Sequence, residues 1–250
     1  MSQSDENGVV VLHHGTIMQA ASSIIREGWK PMDEMDAVAE VATAHDLSPA
    51  GVTQHLQKKS ESGFHVGRAR TVSFAPSRAD AEHGWAQRAP EVEFEALWAV
   101  YQMKHPTLDD PLCLVSDIAG QAWVWDQMRT DQPAVVSYKT CYTEMIDLGA
   151  RVPGFRAKPL PPMELLDLAP EIVYDLPFKP DRNRLTVTPI ARHLPWDVFA
   201  HKLGLGQEEF ERCAANGDFG VPASEGVSCL GIWITVRPWW TAEHPALAGR

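Results

Sequence analysis

The first apolar run, Gly8-Val9-Val10-Val11-Leu12, is β-branched and of strand length, and it ends at His13-His14-Gly15-Thr16. It predicts a buried strand closed by a turn. In the next stretch Ile17, Ala20, Ala21, Ile24 and Ile25 fall at helical spacing, and Gly28 stands where a helix stop belongs. The chain therefore opens as strand, His-Gly-Thr turn, helix, Gly. Two further helices are predicted over residues 36–45 and 49–59, the second with Ser48 as N-cap and Pro49 at its first position. A short strand over 70–75 follows, and after Pro76-Ser77 a helix over 78–87.

Residues 94–103 are apolar at nearly every position, so periodicity alone does not separate strand from helix, and the run is read as strand. Farther on, 112–117, 134–138, 171–175 and 184–188 are strand-like, and 229–236 reads as a last strand. Helical turns are expected over 119–128, 140–148, 196–203 and 207–215, and the proline-rich 153–162 is a loop. Mixed in this order, the elements predict an α+β fold.

Length and charge narrow the picture. The 250 residues, 44% hydrophobic and 22% charged, suit one large domain, or one domain with an appendage, and a core large enough for a ligand cleft. The net charge of −11 disfavours sequence-independent binding to phosphate backbones, which rests on Lys and Arg. Its excess is local: residues 1–178 hold 14 basic against 25 acidic residues, and residues 179–250 hold eight of each. Cys113, Cys141, Cys213 and Cys229 are far apart, without a C-x-x-C pair, as expected of thiols in a reducing compartment. The polar, acidic first seven residues lack the features of a signal peptide, and no apolar run has membrane-span length. A cytoplasmic protein, or one exported without a cleavable signal, is expected.

Strand, His14-Gly15-Thr16, helix and Gly28 resemble the first signature of the ADP-ribosyltransferase superfamily, in its poly(ADP-ribose) polymerase-like, diphtheria-toxin-like branch with a His-Tyr-Glu triad. A histidine at a strand end can bond ribose hydroxyls, and a glycine lets its backbone approach a planar carboxamide. Val72-Ser73-Phe74-Ala75 with Ser77-Arg78-Ala79-Asp80-Ala81 resembles the family's second strand and helix, with Ser73 where Tyr is usual. A serine cannot stack on nicotinamide, so Trp85 and Tyr101 are the candidate rings. Glu171-Ile172-Val173-Tyr174-Asp175 resembles the glutamate-bearing strand, without the aromatic residue that intervenes in the family. By alternation Glu171, Val173 and Asp175 share one face, and Ile172 and Tyr174 the other.

The resemblance implies a split mixed β-sheet core over residues 8–190, with a helical insertion at 36–62 and a C-terminal α/β extension over 191–250. It implies an NAD-dependent mono-ADP-ribosyltransferase that releases nicotinamide and modifies a macromolecular acceptor, protein or nucleic acid; toxins and effectors are among the roles it implies. His14 and Gly15 would contact ribose and carboxamide, Thr16 would add a hydroxyl contact, and Ser73 would hold the degenerate stacking position. Glu171 would be the catalytic carboxylate, with His14 beside it, and Arg78 or Arg70 would bond the pyrophosphate. NAD is the one cofactor implied, used as substrate, with no metal and no membrane partner.

A second signal comes from residues 38–59, which resemble a bacterial helix-turn-helix with Thr53, Gln54, Gln57 and Lys58 as base and phosphate contacts. On that reading the chain is a non-enzymatic DNA- or protein-binding regulator on a catalytically inactive transferase-like core. Against it, Asp33, Glu34, Asp36 and Glu40 crowd the first helix, and the turn lacks a small residue at His45. Gly204-Leu205-Gly206 lacks a third glycine, Asp218-Phe219-Gly220 lacks the kinase partners, and the ten histidines show no ligand spacing. Trp233, Trp239 and Trp240 form a closing aromatic cluster, read as sheet core.

Overall fold

The computed structural model describes residues 8–61, 70–106, 118–153, 160, 162–193, 208, 227–229 and 232–234. It is an α+β fold with antiparallel sheets, and the chain divides into two compact units. The first comprises residues 1–36, 67–92 and 131–191; the second comprises 37–66, 93–130 and 192–250. The predicted 112–117, 196–203 and most of 207–215 lie outside the described residues, as does much of the 153–162 loop.

In the first unit β1 (Val9–Ile17) is nine residues long. It therefore runs straight through His13-His14-Gly15-Thr16, which the sequence reading made a turn. Along its full length β1 pairs antiparallel with β3 (Pro133–Cys141), and β3 pairs antiparallel with β5 (Leu185–Pro189). A second sheet joins β2 (Thr71–Phe74) to β4 (Ile172–Asp175) in antiparallel register. Among the described residues the backbone link between these two sheets is at His13 and Ala75. His13 N–H donates to Ala75 O at 2.8 Å, and Ala75 N–H donates to His13 O at 2.7 Å.

One face of each sheet carries the large apolar side chains. Leu12, Val136, Tyr138, Phe74, Ile172 and Tyr174 share a core with Ala21 and Ile24 of α1 (Met18–Glu27). Gly28 ends α1 with φ 79°, and its N–H donates to Ile24 O at 2.8 Å. Any Cβ there would lie 2.6 Å from Phe178 O, so the helix stop and the Trp29–Phe178 backbone bridge both need glycine. On the opposite face a small-residue seat, Ala75 and Val135, receives Ala81 and Ala86. The helix predicted over 78–87 is three pieces: α4 (Arg78–Asp80), a π-helical turn Ala81–Trp85 and a 3-10 turn Ala86–Arg88. α7 (Tyr142–Asp147) closes β3 as the predicted 140–148 turn.

The second unit holds most of α2 (Glu34–Ala44), α3 (Pro49–Glu61), most of α5 (Glu91–Lys104) and α6 (Ile118–Met128). The run at 94–103 is thus helix, not strand. Every residue from Phe94 to Tyr101 is buried, and an apolar surface all round a helix produces the same unbroken pattern as a buried strand. α2 ends with Asp46 at φ 59°, while Leu47 N–H donates to Ala42 O and Asp46 N–H to Thr43 O. That is a Schellman stop in which Asp46, not a small residue at His45, takes the left-handed position. The last predicted strand is two, β6 (Val227–Cys229) and β7 (Ile232–Ile234), paired antiparallel.

Candidate functional site

The two sheets of the first unit part immediately beyond the His13–Ala75 pair. Continued antiparallel pairing would next join Gly15 to Ser73, because bonded pairs recur every second residue. Instead His14 Nδ1 donates to Ser73 O at 2.9 Å, occupying the carbonyl that Gly15 N–H would have used. The imidazole is a wedge. His13 turns its N–H and C=O toward β2, and by alternation Gly15 turns its own the same way, onto an edge of β1 that meets no strand among the described residues. Ser73 faces that gap from the other side, since its partner Val173 turns its backbone groups outward to Arg151.

His14 lies on the core face, edge-on to Trp29 with ring centroids 5.5 Å apart and tilted against Phe74 at 5.8 Å. Burial pushes its pKa from the ordinary 6.5 down to about 4, a shift opposed in part by the bond to Ser73. The ring is therefore neutral at pH 7. A carbonyl only accepts, so the proton sits on Nδ1 and Nε2 carries a lone pair. Thr16 is buried on the same face.

Gly15 presents the other face. A Cβ there would stand 2.3 Å from Ala86 N, 2.7 Å from Ala81 O and 2.7 Å from Trp85 Cβ. The contact is with the hydrogen bond that makes the turn π-helical, Ala86 N–H to Ala81 O. Trp85 Cβ thus sits against Gly15, and its side chain packs with Ala75, Ala81, Ala86 and Val135. π-Turns of this kind recur at functional sites.

The predicted residues divide accordingly. His14, Gly15 and the Ser73 carbonyl meet at the split, with Trp85 beside Gly15. Arg78 is exposed and pairs with Glu82 at 2.6 Å. That guanidinium and burial together lower the pKa of His13, whose Nδ1 and Ser137 Oγ share a 2.9 Å hydrogen bond. Tyr101 belongs to the second unit, where its ring stacks on Trp98 at 5.4 Å and packs near Trp123 and His105. Glu171 is buried at the residue before β4. Extending the register that pairs Phe74 with Ile172 sets Glu171 opposite Ala75, in one row with His13. His14, packed on Phe74, lies on the face of β2 and β4 that carries Ile172 and Tyr174.

Comparison of the chain with protein-family models, with curated proteins and with solved structures finds no match.

Sequence reasoning missed Trp29, which packs on His14, Phe74 and Phe178. Its signal was an aromatic residue directly after a helix-stop glycine. Of the helix-turn-helix candidates, Gln54, Gln57 and Lys58 are exposed and Thr53 is partly buried, while Val52 and Leu56 point into their unit. Among the described residues no group of three or more His, Cys, Asp or Glu side chains could hold a metal ion, and no helix is long and apolar enough to cross a membrane.

Proposed function

We propose that this chain is an NAD-dependent mono-ADP-ribosyltransferase whose nicotinamide end enters the split between β1 and β2. The single observation that carries the reading is the His14 wedge. By taking the Ser73 carbonyl it removes the acceptor that Gly15 N–H would have used on β2, and the N–H and C=O of Gly15, a donor and an acceptor side by side, are the complement of a primary carboxamide. The neutral Nε2 of the same ring is an acceptor suited to a ribose hydroxyl. Trp85 supplies an aromatic surface next to Gly15, in place of the tyrosine absent at Ser73.

In the reaction the C1″–nicotinamide bond breaks, nicotinamide leaves, and the acceptor's nucleophile bonds to C1″ while its proton passes to a carboxylate. Glu171 is the candidate for that carboxylate, acting from the row of His13 and Ala75. The acidic excess of residues 1–178 repels an anionic substrate, so binding rests on directed hydrogen bonds. The macromolecular acceptor is left to experiment.

The test is incubation with NAD labelled in the adenylate, together with protein and nucleic-acid acceptors, following nicotinamide release and label transfer. Wild type should release nicotinamide, and Glu171→Gln should slow it by about 100-fold or more. No NAD consumption by wild type overturns the reading. Release unchanged in Glu171→Gln removes that side chain from the chemistry.

A further inference from the structure

Buried donors and acceptors are almost always paired, so an unpaired one calls for a partner from outside. Trp29 is 6% exposed, and its Nε1–H makes no hydrogen bond among the described residues. The indole is not loosely held. Trp29 N–H donates to Phe178 O at 2.8 Å, Phe178 N–H returns a bond to Trp29 O at 3.0 Å, and the ring is packed edge-on to Phe74 with centroids 5.0 Å apart. Its nearest polar ring is His14, 5.5 Å away at an interplanar angle of 88°. The Nδ1–H of His14 is spent on Ser73, which leaves Nε2 as an acceptor.

An N–H donor and a nitrogen acceptor thus belong to two neighbouring rings whose centroids are 5.5 Å apart. A carbonyl or phosphate oxygen satisfies only the donor, and an ammonium only the acceptor. A hydroxyl satisfies both, because its oxygen accepts while its hydrogen is donated. We infer that Trp29 Nε1 and His14 Nε2 together form a seat for one hydroxyl group, a ribose hydroxyl of the bound dinucleotide, which makes Trp29 a specificity-determining residue. The inference rests on the NAD reading above and adds to it a residue that selects ribose over deoxyribose. Leaving the indole N–H unpaired when that hydroxyl is missing is what gives the selection its strength.

Binding of NAD, and of two analogues each lacking the 2′-hydroxyl of one ribose, would be measured by calorimetry on the full chain and on Trp29→Phe, which keeps a ring and removes the donor. Wild type should bind NAD about tenfold more tightly than one of the analogues, and Trp29→Phe should bind those two ligands alike. The indole N–H resonance of Trp29 in the wild-type chain provides a readout that needs no variant, and it should move downfield as NAD saturates. Equal loss of NAD and both analogues in Trp29→Phe, or an indole resonance that stays put at saturating NAD, overturns the inference while leaving NAD binding intact. Failure of wild type to bind NAD at all overturns both readings.

Discussion

Along β1, the face that carries Leu12, His14 and Thr16 and the face that carries His13 and Gly15 differ in what covers them. The first looks onto aromatic rings, Trp29, Phe74 and Tyr138, and there His14 gives its one ring proton to a backbone carbonyl. The second lies under a helix seated on glycine and alanine, with His13 left at the rim, partly exposed, against Ser137, Arg78 and Glu82. Two histidines adjacent in sequence therefore meet opposite chemistry. The difference teaches that the split depends on both faces at once, the wedge on one and the close-packed helix on the other.

The largest break in that comparison is on the helix face. Gly15→Ala puts a methyl into the backbone of residues 81 and 86, and backbone does not yield as a flexible side-chain tip would. A loss of about 3 kcal/mol or more is expected in denaturant unfolding, at the upper end of overpacking effects. Gly84→Ala is the internal control, since a Cβ there meets nothing within 4 Å. It should be neutral or stabilising by about 0.5 kcal/mol. Equal costs for the two variants would mean that the helix is not seated as described.

The wedge makes the next prediction. In the unfolded chain His14 titrates near 6.5, and in the folded chain near 4, so the unfolded state takes up its proton first as pH falls. Stability attributable to His14 is fully present above about pH 6.5, is lost progressively down to about pH 4, and changes no further below that. The window corresponds to about 3 kcal/mol. His14→Gln can keep an amide donor for Ser73 but does not titrate. The difference in unfolding free energy between wild type and this variant at pH 7, 5.5 and 4 isolates the histidine from His13 and His45, whose lowered pKa values act in the same direction. A difference independent of pH would show that the ring is not held neutral.

How much of this was legible beforehand follows from the same two faces. The alternation of Glu171, Val173 and Asp175 against Ile172 and Tyr174 was readable, and Ile172 and Tyr174 do enter the core while Asp175 is exposed. What could not be read was the parity of His14. Ending the first strand at Leu12 left the histidines in a turn, where alternation says nothing, so the face that His14 takes stayed hidden. The run at 94–103 failed for a related reason, since burial on all sides erases periodicity whichever element carries it. Trp29 depends on a bridge to Phe178, far away in sequence, and local pattern carries no trace of such a contact.

The smallest effect belongs to the rim. His13 and Ser137 face each other directly across β1 and β3, and both are partly exposed, so their hydrogen bond competes with water on both sides. Ser137→Ala should therefore cost about 1 kcal/mol, the net worth of an ordinary hydrogen bond, and no more. It should also leave His14 untouched: the pH-dependent difference between wild type and His14→Gln should persist in the Ser137→Ala background, because the two rings lie on opposite faces of one strand. Loss of that pH dependence on removing the serine hydroxyl would mean that the faces communicate through β1, and the contrast between the two histidines would have to be redrawn as a single coupled pair.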